Sequence, residues 1–484
     1  MQIIKLYRKQ KGLTQTDMAK KLNISQQAYA LYEKEGSSVN TETLKKISLI
    51  LGVDISKLVD ENCEKSMLEY SISEFLSKSY TSYHATDNAV EILKSFGFKE
   101  IFINKKWELK EGDKCYIKKN GSAFLAFKVG KLDHYAFNIA SCHTDSPSLK
   151  VKGNSLISSP EGKRINVEKY GGPILYSFFD IPLKVAGRLL IQKDNQIINN
   201  IYTSDFTLNI PSLCIHHSSN ASDGMTIKIQ SDMLPLLGEC DDLFKTISKD
   251  KILDADLYCV PFVKPIYTGL NDEFLTSPRI DNLTSLFSII MGLGNVNNSG
   301  IAICYASDNE EIGSLTKQGA ESNFIIDVLK KINDGLNKSD DEFLKAKEDG
   351  FILSIDNGHA THPGHPEKSD VDQKVYLNKG IVIKHHTNYS TDGLSSAILK
   401  SICEKNKIPY QEYYNNSDIR CGSTIGNILS AKLSMNSVDI GLAQLAMHSA
   451  IETVGVNDIK RMEDLVKAFY LTKIIISADN CVIE

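Results

Sequence analysis

Three runs of this chain are largely apolar and stop at groups that bind protons or metals. Ile301-Ala302-Ile303-Cys304-Tyr305-Ala306 leads into Ser307-Asp308-Asn309-Glu310-Glu311-Ile312-Gly313-Ser314. Ala136-Phe137-Asn138-Ile139-Ala140 leads into Ser141-Cys142-His143-Thr144-Asp145-Ser146-Pro147, and Phe351-Ile352-Leu353-Ser354-Ile355 into Asp356, with His359, His362 and His365 behind it. A strand without polar alternation is buried on both faces, the condition of a parallel sheet covered by helices. Open sheets of that kind place their ligands at the carboxyl ends of the strands. The pattern therefore predicts an α/β fold in which these distant polar groups meet on one rim.

Two further stretches belong with them. Ser277-Pro278-Arg279-Ile280-Asp281-Asn282-Leu283 opens a helix whose Leu283, Leu286, Phe287 and Ile290 face inward, and Ser437-Val438-Asp439-Ile440-Gly441 precedes Met447-His448-Ser449. Each polar group has two readings. Asp281 is either a helix-start acid or a ligand. Glu310 and Glu311 either open a helix, where acids suit the first turn, or divide labour, one binding a metal and the other taking a proton from water. A His two residues before an Asp, as in His143 and Asp145, can bind a metal while the carboxylate orients the imidazole. His143 is thus a candidate ligand and Asp145 a supporting catalytic group.

With 484 residues the chain exceeds one core, so two or three domains are expected. Hydrophobic residues at 42% and charged residues at 24% are values of a water-soluble globular protein. No run approaches the ~20 apolar residues of a membrane span, and Met1-Gln2-Ile3-Ile4-Lys5 lacks a signal peptide's apolar segment, so a cytoplasmic protein without membrane partners is expected. Ten cysteines spread singly, without a CxxC pair, imply reduced thiols, leaving His, Asp and Glu to hold any metal. The net charge of −5 is uneven: residues 1–61 hold ten Lys/Arg against seven Asp/Glu, a surplus of three that leaves −8 for the remainder. That asymmetry suggests two functions in one chain.

Residues 1–62 read as a small helical domain. Thr14 caps a helix from Gln15 to Leu22, Asn23-Ile24 turns, and Ser25 caps a helix from Gln26 to Glu33. A break at Gly36-Ser37-Ser38 precedes a helix opened by Thr41 that carries Leu44, Ile47, Ile50 and Leu51. Gly12-Leu13-Thr14-Gln15, Ala19, Leu22, Ile24-Ser25, Tyr32-Glu33 and the stretch from Leu44 to Val53 resemble the phage-repressor-like helix-turn-helix family. The resemblance implies that Ser25, Gln26, Gln27 and Tyr29 face the major groove of double-stranded DNA. The other reading is a bundle that binds protein or dimerises. Glu61 to Tyr70 suits a linker.

From about Tyr80 to the C-terminus the chain closely resembles the aspartyl aminopeptidase and vacuolar aminopeptidase I family of dinuclear zinc peptidases. The resemblance rests on Tyr83-His84-Ala85, Trp107, Cys142 to Pro147, Tyr170-Gly171-Gly172, Ala186-Gly187-Arg188, Arg279 to Leu283, Asp308 to Ser314, Gly422-Ser423-Thr424-Ile425-Gly426 and Met447-His448-Ser449. It implies two divalent metal ions per subunit, zinc first, though manganese or cobalt suit such ligands. Carried onto these positions, the family pattern makes Asp281 the bridging carboxylate. His143 and Asp356 complete one site, Glu311 and His448 the other, and Glu310 is the general base. The activity implied is hydrolysis of peptide substrates from their amino end, one metal holding the free α-amino group. The rival is a DNA-binding regulator that uses the body as oligomeric scaffold or sensor.

Between His143 and Asp281 lie 137 residues, too many for a sheet crossover. Short β-like runs from Leu183 to Ile191, Ile197 to Tyr202, Met225 to Ile229 and Leu257 to Val263 fill the interval. Residues 155–267 are accordingly read as an inserted β-rich dimerisation domain, and residues 70–154 with 268–484 as the catalytic domain. In the family such insertions build dimers that assemble into a hollow dodecamer. Ile210 to His216 resembles a segment whose histidine reaches a neighbouring subunit's active site, making His216 a substrate-binding candidate. Lys384 is the other: it pairs with a substrate carboxylate, giving acidic selectivity, or is a structural lysine. The chain departs from the family at Asp180-Ile181-Pro182-Leu183, commonly Asp-Arg-Asp-Leu, and is about two residues shorter between Lys384 and Tyr389.

Overall fold

The computed structural model describes residues 4–5, 7–8, 11, 13–34, 39, 41–52, 58, 71–217, 224, 226–476 and 480–484. The chain divides into two compact units, residues 1–75 with 268–273, and residues 76–267 with 274–484.

In the first unit, local chemistry sets each helix boundary. The Thr14 hydroxyl accepts the Asp17 N–H at 3.0 Å while the Asp17 carboxylate accepts the Thr14 N–H at 2.9 Å, a reciprocal cap that starts the helix Gln15–Leu22. Asn23, at φ 57°, stops it in the left-handed region that Asn tolerates. Ser25 then accepts the Ala28 N–H at 3.1 Å and caps Gln26–Tyr32, with Glu33 as the closing residue; a third helix spans Thr41–Leu51. Ile4, Tyr7, Met18, Ala19, Tyr29, Leu44, Ile47, Leu51 and Leu58 form the core. Within it Arg8 grips Glu33 through two bonds of 2.6 and 3.1 Å, and Gln15 donates to the same carboxylate at 2.8 Å. The expectation that Tyr29 faces a DNA groove fails. Its ring is fully buried and packs edge-on against Tyr32, because it lies on the core side of its short helix. Ser25, Gln26 and Gln27 are exposed, the Ser25 hydroxyl being engaged as the cap. The expected break at residues 36–38 and the linker at residues 61–70 lie outside the described residues.

The second unit is mixed α/β. Its main sheet has nine strands in the order Lys99–Glu100, Lys114–Lys119, Ala123–Val129, Ile301–Ser307, Phe137–His143, Phe351–Ile355, Asn436–Gly441, Ile381–His385 and Tyr410–Tyr414. The three centremost pairings are parallel, in a register that sets Ser307 beside His143 and Ile355 beside Ile440. All three runs expected to be buried strands occupy this centre, and helices including Ile280–Gly294, Phe324–Gly335, Ile425–Leu433 and Val456–Leu471 accompany them. Phe127, Phe137, Ile139, Ile303, Tyr305, Phe324, Leu329 and Ile352 belong to the resulting core.

A second, six-stranded antiparallel sheet orders Gln196–Thr203, Leu183–Lys193, Ile252–Pro261, Ser148–Ser159, Gly162–Tyr170 and Leu236–Gly238. Of the four β-like runs expected here, three fall on these strands. The fourth does not: Ile229 begins a helical turn, Ile229–Asp232, and Met225 lies outside the described residues. Asp256 joins this sheet to the helix Ser82–Ser95. It accepts the Tyr83 hydroxyl at 2.9 Å and binds Arg188 at 2.6 Å, whose guanidinium lies over the Tyr83 ring. Among the described residues no helix is long and apolar enough to cross a membrane.

Gly441 marks how tightly the central strands approach. A Cβ there would collide with the Asp356 carbonyl oxygen, where the Asp356 N–H bonds to Ile440 O at 2.8 Å. Gly441→Ala is expected to destabilise this unit by about 1–3 kcal/mol, as overpacking does. Urea unfolding followed by near-ultraviolet circular dichroism checks it, and an unchanged midpoint would show that the strands yield.

Candidate metal centre

The parallel register brings the ends of three central strands side by side, and the polar groups beyond them converge. His143 ends its strand, the Glu310–Ile312 turn follows Ile301–Ser307, and Asp356 follows Phe351–Ile355. Asp281 arrives from another direction, at the start of the helix Ile280–Gly294, where Asp281 and Asn282 have non-helical torsions. His448 follows the strand Ala443–Leu445. Several residues here hold backbone conformations that non-glycine residues seldom adopt: Arg279 at φ 61°, Asn309 at 61°, Ser314 at 64° and His448 at 67°. Such strain persists where the surroundings over-determine it, and it clusters at functional sites.

Asp281 stands at the middle. Its Oδ1 lies 3.5 Å from His143 Nε2, and its Oδ2 lies 3.5 Å from His448 Nε2. His143 Nε2 is also 3.5 Å from Asp356 Oδ1, and His448 Nε2 is 3.3 Å from Glu311 Oε1. Ligand atoms of His143, Asp281 and Asp356 lie within 4.8 Å of one another, as do those of Asp281, Glu311 and His448, and those of His143, Glu310 and Glu311. The two imidazoles turn their other nitrogens away. His143 Nδ1 meets the Asp145 carbonyl at 3.1 Å and its carboxylate at 3.4 Å; His448 Nδ1 meets the Gly172 carbonyl at 3.2 Å. An Nδ1–H bonded in this way leaves Nε2 as a lone pair aimed at the centre.

Asp145 supports more than His143. Its carboxylate accepts the N–H groups of Glu310 and Glu311, both at 3.2 Å, and the Tyr170 hydroxyl at 2.7 Å, while Tyr170 accepts from Asn309 at 2.8 Å. The glycines after Tyr170 leave room for the acids and the imidazole. A Cβ on Gly171, at φ 71°, would press on Glu311 at 3.1 Å, and one on Gly172 would meet His448 at 3.5 Å.

The electrostatics show what the cluster lacks. Burial disfavours charge on His143, yet the carboxylates of Asp145, Asp281 and Asp356 hold its imidazole well above its usual value. Against the same penalty, Asp281 and Glu311 push His448 up to about 11. Burial raises Glu310 and Glu311, only partly relieved by the nearby imidazoles. These shifts all run toward bound protons, the direction expected where buried acceptors outnumber cations. Asp281 Oδ1 and Glu311 Oε1 are buried without a hydrogen-bond donor. Divalent cations bound by imidazole and carboxylate fit these residues and would displace those protons.

The remaining candidates lie differently. Lys384 is buried; its Nζ donates to the Asn357 carbonyl at 2.9 Å and lies 3.8 Å from Asp356 Oδ2. His216 is exposed on the turn Ile215–His217 and does not join the cluster. His359 is close enough for the charges of Lys384, Asp281, His448 and Asp356 to act on its imidazole, a placement that its spacing from Asp356 hints at but does not specify. Glu452 went unremarked in the sequence because nothing around it resembles a motif. It is buried and accepts the backbone N–H groups of Asp281 and His448.

Residues 75–470 match the family described as Aminopeptidase I zinc metalloprotease (M18), and residues 4–58 match a helix-turn-helix family. A probable M18 family aminopeptidase 2 from Clostridium novyi is 38% identical over 421 residues, covering 82% of this chain and 97% of that one. Among solved structures, that of the Ape4 and Nbr1 complex is 31% identical, with a TM-score of 0.79 over 83% of this chain and 85% of that one. The S. cerevisiae mApe1 dodecamer, at 24% identity and a TM-score of 0.73 over 85% of this chain and 97% of that one, shares the fold. With the match spanning most of its length, the chain belongs to the aminopeptidase I zinc metalloprotease (M18) family and is a zinc-dependent aminopeptidase.

Proposed function

We propose that the enzyme removes amino-terminal residues from peptides at a two-metal centre. The observation that carries this is the division of the Asp281 carboxylate, one oxygen toward His143 and Asp356 and the other toward His448 and Glu311. Two zinc ions held there would act as Lewis acids and make water acidic enough to attack at neutral pH. Glu310, beside the cluster but outside both of those sets, takes the proton from the attacking water and returns it to the leaving amine. Asp145 holds the His143 ring and fixes the backbone that presents Glu310 and Glu311.

Glu310→Gln is expected to lower turnover of aminoacyl-nitroanilides by about 10²-fold or more with bound zinc unchanged, since the base is lost and the ligands kept. His448→Ala and Asp281→Ala are expected to lose zinc, measured by elemental analysis. Loss of zinc in Glu310→Gln with retention in His448→Ala would reverse the two roles.

We assign acidic amino-terminal residues as preferred substrates. Lys384 uses one of its three donors on Asn357, leaving a buried cation beside Asp356 for a side-chain carboxylate. Such a charge-assisted bond contributes roughly 1.5–3 kcal/mol, or about ten- to hundredfold in selectivity. Glutamyl substrates are expected to outpace leucyl ones in kcat/KM, and Lys384→Ala to abolish the difference. Equal rates in the unaltered enzyme would refute the assignment.

Assembly follows the same reading. The β-rich segment leaves Ile197, Leu213 and Ile215 exposed, apolar surface suited to burial between subunits, and the relative of the same fold from yeast is a dodecamer. We place dimer contacts in residues 155–267, catalysis in residues 70–154 and 268–484, and His216 in the active site of a neighbouring subunit. The free thiols of all cysteines among the described residues accord with a cytoplasmic location.

A second activity is favoured by the match of residues 4–58 and by the exposure of Gln26 and Gln27 at the start of the second helix of the motif. We propose that this segment binds duplex DNA weakly and that linked copies on one oligomer gain avidity. The full-length oligomer is expected to shift duplexes with paired sites, less so as salt rises. Gln26→Ala with Gln27→Ala should weaken that shift at unchanged peptidase rate. An oligomer that enriches no sequence from random duplexes at low salt would make the segment a protein-binding bundle.

A further inference from the structure

Glu452 has no part in the roles assigned above, yet its carboxylate is bonded to the backbone of two residues read as ligands. Its Oε2 accepts the Asp281 N–H at 3.0 Å and its Oε1 accepts the His448 N–H at 2.7 Å. It is 2% exposed and begins the strand Glu452–Gly455, where it pairs with Ser277, four residues before Asp281. The partner of the strand that leads into Asp281, Phe274–Ser277, thus carries the group that fastens it.

Both fastened residues are held on their other sides. The Asp281 carbonyl accepts the Ser146 hydroxyl at 2.7 Å, and the His448 carbonyl accepts the Ile174 N–H at 2.9 Å. His448 has φ 67°, a conformation that its surroundings must maintain. Without the Glu452 link, nothing in these bonds fixes Asp281 against His448, whose side chains supply the facing atoms of one cluster. A carboxylate suits this place because both of its oxygens accept.

We propose that Glu452 is a positioning residue: by bonding both backbones it sets Asp281 against His448 and thereby the affinity of the cation position that these two share with Glu311. This rests on reading those three residues as ligands.

The chemistry of the amide provides the test. Glu452→Gln keeps size but offers one acceptor and one NH2, so one of the two links must break whichever way it turns. Glu452→Asp keeps both acceptors and retracts them by one methylene. Asp458 serves as control, since it too is buried and accepts two backbone N–H groups, from Asn378 and Gly380, but touches none of the ligands. Zinc affinity and stoichiometry of the full-length protein are measured by chelator competition, together with melting of the chelator-stripped protein. Glu452→Gln is expected to weaken the zinc position of Asp281, Glu311 and His448 about tenfold or more, affect the other position less, leave the stripped melting temperature unchanged, and regain kcat in excess zinc. Asp458→Asn is expected to lower the melting temperature and leave zinc affinity alone. A Glu452→Gln protein that melts lower with both zinc positions intact, or that weakens both equally, would overturn the proposal. Should Glu452→Gln fail to fold, Glu452→Asp decides, because unchanged zinc affinity there has the same force. A His448→Ala protein that retains all its zinc would instead sink the ligand assignment, whatever Glu452 does.

Discussion

Asp281 is caught between two imidazoles, one oxygen toward each, and is itself buried beside the partly exposed His448. Around it stand Glu310, Glu311 and Asp356, so among the described residues four carboxylates gather where two imidazoles and, beside Asp356, the Lys384 ammonium answer them. In a region of low dielectric, like charges this close repel strongly and their desolvation is not repaid by solvent. Everything nearby can be understood as holding that arrangement in place: Asp145 behind the acids, the Gly172 carbonyl behind His448, Ser146 and Glu452 behind Asp281. The backbone strain at Arg279, Asn309, Ser314 and His448 belongs to the same economy, tolerated because the surrounding core is rigid.

Much of this arrangement is legible in the sequence. Buried strands read as largely apolar runs, and the residues just past them read as ligands, caps or satisfied loop groups, which singles out His143, Glu310, Glu311 and Asp356. The centre of the sheet follows from the same runs. What could not be read was carried by the backbone. The partner of His448 Nδ1 is the carbonyl of Gly172, which no side-chain pattern announces. Glu452 acts through the N–H groups of residues far away in sequence, and a lone acid beside a short strand has no distinguishing neighbourhood. Tyr29 was misplaced for a related reason. On a helix of seven residues a rotation of one position moves a side chain from groove to core, and tyrosine suits either.

The helical unit and the catalytic unit solve charge in opposite ways. In the former, Arg8 and Glu33 neutralise each other inside the core, and the bidentate geometry with Gln15 satisfies the carboxylate. Such a pair serves specificity of packing and leaves nothing for a ligand. In the latter, the acids face two imidazoles, and Asp281 Oδ1 and Glu311 Oε1 are buried without a hydrogen-bond donor. The contrast separates a structural ion pair from a binding site without reference to any motif.

The pairing of Ser307 with His143, and of Ile355 with Ile440, has a consequence for how such a centre can change. Neighbouring strands keep a spacing of about 4.8 Å because hydrogen bonds dictate it. Ligand-bearing loops that leave adjacent strands in step therefore inherit their separation from the backbone ladder, not from the side chains. Substitution can exchange one donor atom for another and so alter which ion is preferred, but the ruler against which those atoms are set is woven into the sheet. Chemistry at this rim is free to drift in composition while remaining fixed in scale.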